Sequence, residues 1–589
     1  MKRDIMAALM GLFLCSGAGA QQAADSVAPE IGGAGRLDIT PAVAAGLEAK
    51  EAGQPVWADD WMIVAANPYA AEAGARVLRA GGTAADAAIA TQLVLGLVEP
   101  QSSGLGGGAF VVWYDADTGT LSTLDGRETA PLAATPRLFQ DDTGAPLKFF
   151  DAVVGGRSVG TPGTPALLQL MHRKWGRAEW ADLFSDALGL AQEGFVVSER
   201  LAGSVARDAA RLARFADTAR YFLPDGQALR AGSILRNDAY ARTLRMLAEQ
   251  GAEAFYTGDF ADQIVRRVQQ NGGVLTAVDM AVYRPKERAA VCAPYKSLEI
   301  CGMGPPSSGA LTVGQILGML AQFDLSAGPD DPQVLRLIGD ASRLAFADRA
   351  RFMADSDYVP VPVQGLLEPD YLKTRAALLR GPRLPEAPPG NPKFDHASRW
   401  ADDAAPELPS TSHISIVDRY GNALSMTTTI ENGFGSRLMV HGFLLNNELT
   451  DFSFRSHLGG VPVANRVEPG KRPRSSMAPT IVMRDGAPVL VTGSPGGSMI
   501  IGYVANTILA WAEWGLDVQQ AMDLPHRINR FGRYDIETGP AALDTMQSLS
   551  DMGYGVKSAP MVSGLGSIEI GPRLSGGADK RREGVAIGE

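Results

Sequence analysis

The feature that most restricts this chain lies well past its midpoint, where "STSHISIVDRYGNALSMTTTI" runs from Ser410 to Ile430. Apolar residues alternate with period two on both sides of a turn signature, the pattern of an antiparallel hairpin. Closing a three-residue loop between Asp418 and Asn422, with Gly421 in the left-handed position, fixes the register. Ile416 then faces Leu424 and Ile414 faces Met426, giving one apolar side. On the other side His413 faces Thr427, and Thr411 faces Thr429. Directly opposed side chains have Cβ atoms about 5 Å apart, so these two threonine hydroxyls are predicted to bond or nearly touch. Threonine favours strands in any case, and the hairpin alone leaves a purely structural reading open.

The segment before the hairpin changes the balance. Residues 378–410 are rich in Pro, Ala and Asp and read as an exposed linker. A threonine hydroxyl is a poor nucleophile without a base, but an N-terminal threonine carries one in its own α-amine, with an ordinary pKa of about 7.7–8.0. Cleavage after Ser410 would make Thr411 such a terminus. That gives the cluster of side-chain oxygen at the start of a buried strand a chemical purpose.

Elsewhere, helical and strand patterns come in blocks. A polar lead, expected to be mobile, runs from Gln21 to about Pro55. Two Ala-rich helical patterns broken at Gly81-Gly82 follow, then a glycine run and a hairpin turning at Asp115–Gly119. Residues 155–290 read mainly as helix, strands return near Ala289, and helices precede the linker. Strands dominate after the linker until a helix at "GYVANTILAWAEWG". Such blocks predict a layered α+β fold with stacked sheets inside helices. Gly104-Leu105-Gly106-Gly107-Gly108 follows a helix and precedes a strand, the reverse of a dinucleotide loop. Close backbone packing beside a site is the remaining reading.

Composition narrows the function. In 589 residues the net charge is -11 with no basic block, which argues against nucleic acid and for a small-molecule partner. Residues 1–20 have a basic start, a short apolar run and a small-residue end at Ala18-Gly19-Ala20, the form of a signal peptide. A secreted protein is expected, periplasmic if the source has two membranes, with no membrane span. Cys292 and Cys301 would face each other across a turn at Lys296-Ser297, and an oxidising compartment favours a disulfide there. Two buried thiols are the other reading. The six histidines show no metal-ligand spacing, and no HExxH occurs.

Four stretches, "STSHISIVD", "GFLLNNELTDFS", "KRPRSSMAPTIV" and "GSPGGSMI", occur in order, and over essentially the whole mature chain the sequence resembles the gamma-glutamyltransferase (gamma-glutamyltranspeptidase, glutathione hydrolase) family. The resemblance implies a four-layer αββα sandwich of the N-terminal-nucleophile type, built jointly by two subunits from one precursor: 21–410 and 411–589. It implies cleavage between Ser410 and Thr411, with Thr411 as nucleophile and Thr429 supporting it. Gly496 and Gly497 match the pair whose N–H groups form the oxyanion hole. Arg127 matches the arginine for the donor's α-carboxylate, with Ser475 and Ser476 adding hydroxyl donors. Glu448 and Asp451 match the acids for its α-ammonium, and Glu431 stands where many relatives have Asn, as a third acid.

Glutathione or another gamma-glutamyl compound is the implied donor, and water, an amino acid or a peptide the acceptor, with no metal or organic cofactor. The stretch from Asp451 to Ser475 is shorter than in relatives that cover the pocket with a lid, which implies an open site. Two alternatives remain at this stage. One is a related amidase, such as a cephalosporin (glutaryl) acylase or a poly-gamma-glutamate enzyme; the other is an uncleaved periplasmic binding protein for gamma-glutamyl compounds.

Overall fold

The computed structural model describes residues 40–394, 396, 399–405 and 410–589. The leader at 1–20, the lead before Thr40 and part of the 378–410 linker lie outside them. The described remainder of the lead is folded. Pro41–Glu51 is a helix, started by the Thr40 side chain accepting from the Val43 N–H and by proline in its first turn. Lys50 Nζ ties it to the C-terminal segment through the carbonyls of Arg582 (2.9 Å) and Gly584 (2.6 Å).

Fourteen strands form two seven-stranded sheets. In chain order they are β1 (Val56–Ala58), β2 (Met62–Ala65), β3 (Gly108–Asp115), β4 (Thr120–Asp125), β5 (Lys286–Arg288), β6 (Val291–Tyr295) and β7 (Leu298–Gly302). After the linker come β8 (Ser412–Val417), β9 (Ala423–Thr429), β10 (Thr480–Arg484), β11 (Ala487–Gly493), β12 (Gly566–Ile570), β13 (Leu574–Ala578) and β14 (Val585–Gly588). One sheet has the order β14-β2-β8-β9-β3-β4-β5, the other β1-β13-β12-β11-β10-β7-β6. Each draws strands from both sides of the linker, so neither half of the chain can complete a sheet alone.

The predicted hairpin register is the observed one. Ile414 pairs with Met426, Ile416 with Leu424 and His413 with Thr427, and Gly421 has φ of 84°. The four apolar side chains are buried in the largest core cluster, which also includes residues of α1 (Pro68–Arg79) and α2 (Ala84–Val98). Burying each contributes about 1.5–3 kcal/mol. The second sheet packs its outer face on α3 (Gly309–Leu320), α4 (Pro332–Phe352) and α5 (Ile500–Trp514). Val64, Val112, Ile481, Val491 and Ile568 fill the space between the sheets. The order is therefore helix, sheet, sheet, helix, as the sequence predicts.

The inner face of the hairpin is polar but satisfied. His413 bonds Thr427 Oγ1 through Nδ1 and Ser415 Oγ through Nε2, each at 3.0 Å. Ser415 Oγ donates to the Gly566 carbonyl and Ser425 Oγ to that of Thr492, pinning one sheet to the other. Burial pulls the His413 imidazole down to about 3, so it sits between the sheets as a neutral ring. Cys292 and Cys301 are paired across β6 and β7 and joined by a disulfide.

Candidate active site

Thr411 sits immediately before β8 and Thr429 at the end of β9, so the tight turn at Gly421 brings together residues eighteen positions apart. The Thr411 hydroxyl lies 3.3 Å from that of Thr429 and donates to the Ser410 carbonyl at 2.6 Å. Thr429 donates to the same carbonyl at 2.9 Å. The oxygen of the 410–411 peptide bond thus receives two hydroxyls. Thr429 Oγ1 also accepts from the Glu431 N–H at 2.8 Å, which holds its rotamer and aims its proton at Ser410.

The glycine run before β3 makes room for this corner. A Cβ on Gly107 would meet the Thr429 carbonyl oxygen at 2.0 Å, and one on Gly106 the Leu444 carbonyl oxygen at 2.0 Å. Close approach, not phosphate binding, explains the run. Asn446 fastens the next segment, donating to the carbonyls of Gly106 (2.7 Å) and Gly160 (2.9 Å) and accepting from the Glu448 N–H.

One small pocket is lined by Thr411, Thr429, Arg127, Glu431, Glu448, Asp451, Ser475, Ser476 and Gly497. Gly496 precedes Gly497 in the same turn, and both have positive φ (136° and 59°), a conformation that favours glycine. Arg127 leaves the end of β4 fully buried. Its guanidinium forms ion pairs with Glu448 and Asp451 and donates to the carbonyls of Arg474 (2.9 Å) and Pro473 (3.2 Å). Burial opposes its charge, yet the two carboxylates hold its pKa above the ordinary arginine value. Glu431 accepts from Asn447 Nδ2. Neighbouring Glu128 is fully buried, and burial together with the charge of Glu448 raises its carboxyl well above the usual range.

The pocket departs from the sequence expectation in one respect. The short 451–475 stretch implies an open mouth, whereas the cavity holds only about 20 Å³, and Arg127, Glu448 and Thr411 are 1%, 1% and 4% exposed. In this structure the arginine and the acids close on one another. The 451–475 stretch itself carries a small hairpin, His457–Leu458 with Val461–Pro462, whose turn at Gly459-Gly460 is exposed.

Sequence reading missed the supports behind these groups. Arg582 Nη1 donates to the Thr411 carbonyl at 2.9 Å. Buried Glu99 accepts from Ser412 Oγ (2.9 Å) and pairs with Arg200 (2.7 Å), which also reaches Ser102. Arg349 donates to Ser476 Oγ at 2.6 Å and to Ser308 Oγ at 2.8 Å. Asn446 and Asn447 stood beside quoted acids and were findable. Arg349 and Arg582 lie in ordinary charged surroundings and gave no signal. Among the described residues, no cluster of His, Cys, Asp or Glu could hold a metal ion, and no helix is long and apolar enough to cross a membrane.

Residues 70–589 match the family model for gamma-glutamyltranspeptidase. The glutathione hydrolase proenzyme of Bacillus subtilis (strain 168) is 37% identical over 543 residues, covering 90% of this chain and 91% of that protein. The acylase ACY 1 proenzyme of Pseudomonas sp. (strain V22) is 31% identical over 547 residues, covering 91% and 94%. A solved cephalosporin acylase from Bacillus halodurans shares the fold with a TM-score of 0.79 at 26% identity, over 91% of this chain and 97% of that one. With the four-layer architecture and most of the chain matched, this protein belongs to the gamma-glutamyltranspeptidase family.

Proposed function

We propose that the chain is an exported precursor that cuts itself between Ser410 and Thr411 and then hydrolyses or transfers gamma-glutamyl groups. The observation that carries the first step is the Ser410 carbonyl, which receives hydroxyls from both Thr411 and Thr429. Thr411 Oγ attacks that carbonyl carbon. Its proton passes to the Thr411 nitrogen as the C–N bond breaks, and an ester remains. Thr429 stabilises the charge that gathers on the carbonyl oxygen. Water then cleaves the ester, leaving a carboxylate on Ser410 and a free hydroxyl and α-amine on Thr411.

In turnover the Thr411 amine takes the hydroxyl proton as Oγ attacks the donor's γ-carbonyl. The Gly496 and Gly497 N–H groups receive the oxyanion, the leaving amine takes the proton, and a gamma-glutamyl ester forms. Water or an amine resolves it, returning Thr411 to its starting state. Arg127, aided by Ser475 and Ser476, takes the donor's α-carboxylate, while Glu448, Asp451 and Glu431 take its α-ammonium. Insertion of this zwitterion between the arginine and the acids separates the ion pairs that close the pocket.

Similarity to acylases supports a second reading, a glutaryl amidase. A glutaryl group carries no ammonium and would leave three carboxylates of the pocket facing an apolar methylene, so the gamma-glutamyl reading is favoured. Release of p-nitroaniline from gamma-glutamyl-p-nitroanilide, set against release of glutarate from a glutaryl amide, tests it. Faster turnover of the glutaryl substrate would overturn the assignment.

A further inference from the structure

A second cavity, of about 610 Å³, opens among the helices Ala216–Phe222, Asp238–Gln250 and Gly258–Gln269 and the turn at His441. None of its lining residues lines the Thr411 pocket. Five arginines converge on it, Arg220, Arg236, Arg242, Arg266 and Arg267, against two aspartates, Asp217 and Asp238. The arginines are scattered over 48 positions, so folding and not a basic run gathers them, in a chain whose net charge is -11.

Their own counter-ions do not account for the cluster. Asp217 serves two of them, Arg220 at 3.1 Å and Arg267 at 3.7 Å, and Arg266 turns to Asp259 at 3.2 Å. Among the described residues, Arg236 and Arg242 make no ion pair, although Arg236 Nε reaches the Glu193 carbonyl at 3.0 Å. Arg267 Nε is buried without a hydrogen-bond acceptor, and its Nη2 has only the 3.7 Å carboxylate of Asp217. His441, stacked on Phe260 at 3.8 Å, has its pKa lowered by burial and adds no cation at neutral pH. Like charges lining one cavity, together with a buried donor lacking an acceptor, favour an anion that completes them.

We propose that this cavity binds a small multivalent oxyanion, one carrying two or more carboxylate or phosphate groups. Guanidinium groups suit both chemistries through two-pronged contacts, and the volume lies in the range of small-molecule sites, about 300–1,000 Å³. A single-headed anion would satisfy only part of the cluster, whereas two linked heads can engage Arg267 on the floor and Arg236 or Arg242 at the rim.

Isothermal titration calorimetry on the processed full-length protein tests this, with inorganic tripolyphosphate in one arm and citrate in the other at constant ionic strength near 0.15 M. The expected result is one site per chain for at least one probe, weakened about tenfold or more in the double variant Arg236→Ala/Arg242→Ala. Both side chains are exposed and outside the catalytic pocket, so thermal unfolding and gamma-glutamyl-p-nitroanilide turnover should be unchanged. Arg267→Met should weaken the same site through the floor. Binding confined to tripolyphosphate assigns a phosphate ligand, and binding confined to citrate a carboxylate. Heats no larger than those of ionic-strength-matched chloride, or equal affinity in the double variant, would overturn the proposal.

Discussion

Replacing Thr429 by valine keeps the shape of the side chain and removes only its hydroxyl. That hydroxyl donates to the Ser410 carbonyl at 2.9 Å, lies 3.3 Å from the Thr411 hydroxyl oxygen and accepts from the Glu431 N–H at 2.8 Å. Losing one donor to a developing oxyanion costs about 2.7–4 kcal/mol, which corresponds to about 10²–10³ in rate. The buried Glu431 N–H loses its acceptor at about 1–3 kcal/mol of stability, at a residue whose φ of 74° already needs support. Self-cleavage should therefore slow by two to three decades while the chain still folds. Freshly purified Thr429→Val, incubated and sampled on denaturing gels, should convert from one band to two over correspondingly longer times, with its thermal midpoint lowered. Thr429→Ser, which restores the hydroxyl, should recover most of the rate. Wild-type processing in the valine variant would refute the role assigned to the two-hydroxyl carbonyl.

Thr411→Ala should give one uncut band and no turnover, and two bands of the proposed sizes would move the scissile bond elsewhere. Arg127→Lys should leave processing intact and raise KM for the donor about ten- to a hundredfold, since a charge-assisted contact is worth about 1.5–3 kcal/mol; unchanged donor KM would show the carboxylate is held elsewhere. His413 has a folded pKa of about 3 against about 6.5 unfolded. Its contribution is complete above pH 6.5 and is lost as pH falls toward 3, because the unfolded chain takes up a proton that the buried ring refuses, at up to about 1.4 kcal/mol per pH unit. Unfolding followed from pH 7 to 4 should show this slope, and His413→Asn should flatten it; an equal slope in the variant would exclude the ring. Replacing both Cys292 and Cys301 by serine should lower stability by about 2.5 kcal/mol without altering kcat, from the loop-entropy relation for a closed loop of about ten residues; a change in kcat alone would contradict it.

Several elements were legible because the forces that set them are local. The 412–429 hairpin follows from alternation plus one glycine at the left-handed position, and a slip by one residue would turn Ile414 and Ile416 toward the polar seam. The same reasoning placed Cys292 opposite Cys301, and Gly81-Gly82 between α1 and α2. The lead before β1 was misjudged. Thr40-Pro41 is a sound helix start, but the helix is fastened by Lys50 to carbonyls more than five hundred residues away, which its local polarity hides. The open mouth implied by a short 451–475 stretch is not what the structure has, because the buried ion pairs of Arg127 close the pocket independently of any lid.

By itself the sequence determined the hairpin register and the block order of helices and strands. Only the tertiary structure decided that β2 and β14, from opposite ends of the chain, pair beside β8, and that Arg582 and Arg349 reach Thr411 and Ser476. Turn chemistry and side-chain alternation act between near neighbours and are written into every short window. Contacts between distant segments exist only where two sheets and their covering helices pack as one body, and no single window of the chain encodes them.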